Sequence, residues 1–116
     1  MATREDAALV VQLLQWGAME GLGDALAEVF SDRFNPDSAK HEDPAVRKVL
    51  YFGETVGTFV KQGLLDRGLV EDLWAIEYSW RRVGPAALRL REQVHEPRMY
   101  ENFEALATGA RVPAGV

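Results

Sequence analysis

Eight apolar residues in one stretch of the chain keep a single helical seam. Leu69, Leu73, Ile76, Trp80, Val83, Ala87, Leu90 and Val94 are spaced 4, 3, 4, 3, 4, 3 and 4 residues apart, the alternation that holds side chains on one stripe of a helix. Pro85 falls inside this stretch. A proline in a helix interior removes one backbone hydrogen bond and crowds the carbonyl four residues back, here that of Arg81. The seam stays in phase across it, so the pattern predicts one long helix capped by Asp66, running to Val94 and kinked at Gly84–Pro85. Val70, Trp74, Tyr78 and Leu88 widen its apolar face, which makes it a central element contacted by several others.

The rest of the chain supplies helices to pack around it. Thr3 to Asp6 reads as a capping box that opens a first helix. Its apolar residues Leu9, Val10, Leu13, Leu14 and Trp16 centre on one direction. Met19, Leu22, Leu26, Val29 and Phe30 centre roughly 150° away at helical periodicity. Gly17, Gly21 and Gly23 lie at the crossover, and glycine costs about 1 kcal/mol in a helix interior, so the reading breaks the helix between residues 17 and 23. Asn35 to Asp43 is rich in turn formers and has no apolar anchor. Asp43–Pro44 then opens a third helix with proline at its first position, and Gly63 ends it. Glu96–Pro97 opens a last helix, with Met99, Tyr100, Phe103, Leu106 and Ala107 on its apolar side and Thr108–Gly109 as its stop. No stretch alternates apolar and polar residues long enough to make a strand. The expected fold is all-α, an irregular antiparallel bundle of about five helices within a single domain over residues 1–109, with residues 110–116 a flexible tail.

Composition removes several functions. The chain has 116 residues and no cysteine, so it can bury a core of its own and has no disulfide, Cys-ligated zinc, iron–sulfur cluster or thiol nucleophile. A net charge of -5 argues against nucleic acid as a partner. The apolar run from Ala7 to Trp16 is about half the length of a membrane span, contains Gln12 and Gln15, and is followed by no cleavage site. It reads as a buried or interface helix of a cytoplasmic protein without a membrane span.

Chemistry-bearing residues are few. Glu92 and His95 stand at i, i+3, a spacing used in di-iron bundles, but those sites need two such pairs. A surface histidine near a helix C-terminus accounts for this one. Glu20, Asp24, Glu28 and Asp32 recur every four residues and read as a solvated acidic face. Residues 1–43 carry nine acidic and three basic side chains and residues 44–116 carry nine and ten, so the acidic stripe could dock on Arg81, Arg82, Arg89, Arg91 and Arg98. Glu54 is the one carboxylate midway along an otherwise apolar third helix, and a structural pair with Arg91 is the expectation. Gly53 and Gly57 share the apolar face of that helix, where they permit close approach of another backbone. No nucleophile triad, phosphate-cradling loop or dinucleotide fingerprint is present. No metal or cofactor is expected.

Gly63-Leu64-Leu65-Asp66, followed by Trp80, Arg91 and Tyr100-Glu101-Asn102-Phe103-Glu104-Ala105-Leu106, resembles the core pattern of a bacterial family of small all-helical domains of unassigned function. The resemblance covers residues 44–107. It implies recurring positions at Glu54, Trp80, Arg91, Tyr100, Phe103 and Glu104. Members commonly carry a membrane-spanning helix ahead of the domain, a feature this sequence does not share.

These features favour a non-catalytic protein-interaction or regulatory module, acting as a homodimer or with another protein. Its interface would lie on Leu9, Val10, Val11, Leu14 and Trp16, because the first helix is apolar nearly all round. The alternative is a small-ligand or sensor pocket lined by Trp74, Tyr78, Trp80, Tyr100 and Phe103, with Glu54, Arg91 and Glu104 as polar anchors. A metal-assisted enzyme built on the acidic stripe ranks last.

Overall fold

The computed structural model describes residues 1–108, so the tail at 110–116 lies outside the described residues. Among the described residues every regular element is a helix and none is a strand: α1 (Arg4–Glu20), α2 (Leu22–Phe30), α3 (Pro44–Lys61), α4 (Arg67–Leu73), α5 (Ile76–Val94) and α6 (Glu101–Ala107).

The local signals at the first three helices act as the sequence suggests. Thr3 and Asp6 close a reciprocal capping box at the start of α1. Gly21, left-handed at φ 74°, ends α1 and begins α2, a conformation open to glycine because it has no Cβ. Met19, expected among the apolar residues of the second helix, lies instead on α1 and is exposed. Pro44 occupies the first turn of α3, where its missing N–H is not needed. Gly63 ends α3 at φ 75°, and the Leu64 N–H reaches back to the Phe59 carbonyl at 2.9 Å.

The long seam is two helices, and the break is not at Pro85. Pro85 lies inside α5, whereas α4 and α5 part at Trp74 and Ala75. Trp74 is extended. Ala75, at φ -81° and ψ 68°, forms an inverse γ-turn in which the Ile76 N–H meets the Trp74 carbonyl at 2.9 Å. Tertiary packing explains the interruption: the Trp74 ring turns edge-on to Phe52 of α3, with centroids 5.1 Å apart. The seam is buried in its middle, from Ile76 to Ala87, while Leu73 and Val94 are exposed. The last helix also starts later than Glu96–Pro97. His95 ends α5 in a left-handed conformation, and α6 begins only at Glu101.

The core gathers on α3. This helix packs on α6, α2 and α5, α5 also packs on α6 and α2, and α1 packs chiefly on α2. Val46, Leu50 and Val56 of α3, Val29 of α2, Val83 of α5 and Phe103 of α6 are wholly or almost wholly buried.

Candidate functional site

Helix α6 is held in place by residues from three other helices, among them Arg67 of α4, which donates to the Leu106 carbonyl at 3.1 Å. Its N-cap, Tyr100, is left-handed at φ 61° and offers no side-chain cap. Glu54 of α3 supplies one instead. Its Oε1 accepts from the backbone N–H groups of Asn102 and Phe103, both at 3.0 Å, and its Oε2 accepts from the Asn102 amide at 3.0 Å. A carboxylate on the first-turn amides also sits at the positive end of the helix dipole. The glycines beside Glu54 make room for this contact. A Cβ on Gly57 would lie 2.4 Å from the Asn102 carbonyl oxygen, and one on Gly53 would lie 2.3 Å from the Phe103 ring.

Arg91 does not pair with Glu54. Its Nε donates to the Met99 carbonyl at 2.7 Å. Its Nη2 stands 2.9 Å from Glu104 Oε1, an ion-pair contact without hydrogen-bond alignment. The three expected polar anchors, Glu54, Arg91 and Glu104, therefore all serve the placement of α6 rather than a shared pocket.

Three of the five clustered arginines, Arg82, Arg89 and Arg91, bind backbone carbonyls, and the acidic stripe holds none of the five. Arg82 donates to the carbonyls of Val29, Ser31 and Phe34 at 2.6, 2.8 and 3.1 Å, closing the C-terminal end of α2. Arg89 donates to Pro36 and Ala39 and so shapes the loop before α3. Arg98 pairs with Glu101 at 2.8 Å, and Arg81 lies over the Tyr78 ring. Glu20, Asp24, Glu28 and Asp32 are exposed. No group of three His, Cys, Asp or Glu residues among the described residues could hold a metal ion.

A titratable pair escaped the sequence reading. His41 Nε2 and the Tyr100 hydroxyl are 2.6 Å apart, and Tyr51 flanks both rings. Burial pushes the Tyr100 phenol up to about 12, and burial with the nearby Arg47 charge pulls His41 below its ordinary value. The one sequence signal for this pair was a histidine in an otherwise turn-rich loop.

The five aromatic residues expected in one pocket separate. Trp74 and Phe103, with Phe30 and Phe52, line a mainly apolar cavity of 230 Å³ between α2, α3 and the α4–α5 turn. Trp80 is buried against Phe103 at 5.1 Å. Tyr78 lies on Phe30 at 4.8 Å, and Tyr100 is with His41. The expected interface on α1 divides as well. Val10 is buried, Leu9 and Trp16 pack against the core, and Trp16 reaches Phe52. Val11 and Leu14 remain exposed, at 53% and 49%.

No helix among the described residues is long and apolar enough to cross a membrane. No curated protein and no solved structure matches the chain. One family model matches residues 13–110, from within α1 through the whole of α6, and the chain belongs to that family, described as a domain of unknown function (DUF4760).

Proposed function

We propose that the protein is a non-catalytic module of the cytoplasm that works through protein contacts, as a homodimer joined along α1. The observation that carries this reading is the outer face of α1. Ala7, Val11, Leu14 and Ala18 are spaced 4, 3 and 4 residues apart and all four are exposed, a short heptad seam with nothing on it. The face that docks on the domain, Asp6, Val10, Leu13 and Gly17, is a separate stripe. The same reading treats α2, α3, α5 and α6 as an irregular antiparallel bundle that presents α1 on its flank.

Charge favours an antiparallel pair of α1 helices. Arg4 opens α1, and its last turn holds no basic residue. An antiparallel partner brings Arg4 beside that uncompensated C-terminal end, and a two-fold axis between Val11 and Leu14 makes the contact self-complementary. Sedimentation across a concentration series tests the proposal. The expected result is a dimer with a dissociation constant on the order of micromolar, as suits a small interface, lost in the double variant Val11→Glu, Leu14→Glu. A chain that stays monomeric at about 1 mM refutes it.

A further inference from the structure

We infer that the cavity between α2, α3 and the α4–α5 turn is a binding site for a small uncharged aromatic molecule of one or two rings. Its 230 Å³ exceeds the roughly 150 Å³ of an engineered apolar cavity that stays dry and takes up benzene, so a fused bicycle fits. Phe30, Phe52, Trp74 and Phe103 reach it from three helices and the turn, offering ring faces and edges to an aromatic guest. No ionisable side chain lines it, so a charged guest would lose its hydration without gaining a partner.

Ser79 is the one side chain of the wall with an acceptor oxygen. Its hydroxyl already donates to the Ala75 carbonyl at 2.7 Å, which leaves the oxygen free to accept. A ring N–H or O–H is the complementary group. The site opens at the γ-turn, where Ala75 is exposed and Trp74 half-buried. Helix α1 contributes nothing to this wall, so the inference stands apart from the proposed dimer.

Indole is the probe. Titrated into the ¹⁵N-labelled full chain, it should bind with a dissociation constant of about 0.1–1 mM, within the efficiency open to so small a ligand, and move resonances of the wall residues. Indole-3-acetate, which adds a carboxylate, should bind at least about tenfold more weakly. Ser79→Ala should weaken indole about fivefold, whereas N-methylindole should bind both chains alike. Leu26→Trp fills the cavity and Ala75→Leu narrows its mouth, and either variant that keeps the parent helical content should no longer bind. The inference is wrong if about 5 mM indole moves no wall resonance, or if both filled variants fold and bind indole as the parent does.

Discussion

Glu54 Oε1 lies 3.0 Å from the backbone nitrogen of Phe103, so a side chain in the middle of α3 caps a helix almost fifty residues further along the chain. Glu54→Ala removes the acceptor and strands the first-turn donors of α6. It should destabilise the protein by about 2–3 kcal/mol in urea unfolding. Glu54→Gln keeps an acceptor for the two backbone N–H groups but loses the charge and the bond from the Asn102 amide, a loss of about 1–2 kcal/mol.

Two glycines should respond in opposite directions to alanine. Gly57→Ala drives a Cβ to 2.4 Å from the Asn102 carbonyl oxygen, and backbone cannot yield cheaply there, so a loss of about 2 kcal/mol or more is expected. Gly23, inside α2, has nothing within 4 Å of such a Cβ. Gly23→Ala should raise stability by up to about 1 kcal/mol through helix propensity alone. Thermal unfolding of the two variants distinguishes crowding from backbone freedom.

Arg82 joins three carbonyls at the end of α2 and the loop behind it, and also lies 5.2 Å over the Phe34 ring. Arg82→Ala should cost about 2–3 kcal/mol, and Arg82→Lys should recover less than half of that, because an ammonium cannot reproduce the planar fork. Equal stability of the lysine variant and the parent would show that charge, not geometry, is what α2 needs.

Stability should fall at both ends of the pH scale through the burial of two neighbouring rings, His41 and Tyr100. His41 titrates below its ordinary value of 6.5 in the folded state, so the unfolded chain binds more protons. Its contribution is present above pH 6.5 and is lost as pH falls through the folded value. Tyr100 is raised from 10.0 to about 12, so its contribution is present below pH 10 and is lost as pH rises through about 12. His41→Ala should flatten the acid side of a plot of unfolding midpoint against pH. Absorbance at the phenolate band should show one tyrosine ionising near pH 12 in the parent, and no such late step in Tyr100→Phe.

Neighbouring valines on α1 should behave as residues of different surfaces. Val10 is 7% exposed and Val11 is 53% exposed. Val10→Ala should lose about 1–2 kcal/mol of stability. Val11→Ala, measured at concentrations where the chain is monomeric, should change it by less than about 0.5 kcal/mol. A large loss at Val11 under those conditions would place it in the core.

Local chemistry was legible in the sequence, and long-range chemistry was not. Thr3, Gly21, Pro44, Gly63 and Asp66 mark helix ends by rules that act within one turn, and each lies at the expected end. The Gly53–Gly57 pair announced the close approach of a backbone, although not whose. Helix α6 was misplaced because its cap is supplied by Glu54, and no pattern near Tyr100 records that. The break at Trp74–Ala75 was missed for a related reason. Neither residue is a helix breaker, and the Trp74 ring leaves the helix for Phe52. Pro85 sits within α5, as the unbroken phase of the seam across it suggested. The arginines were visible as a cluster, but Arg82, Arg89 and Arg91 reach carbonyls, which every residue carries and no sequence distinguishes.

A seven-residue helix is too short to hold its shape alone in water. Because its cap comes from α3 and its ion pair from α5, α6 acquires structure only after those two helices have come together. Folding should therefore close at this end of the chain last. The amide protons of Asn102 and Phe103, shielded by a carboxylate that no local fluctuation of α6 can carry along, report whether that final closure has taken place.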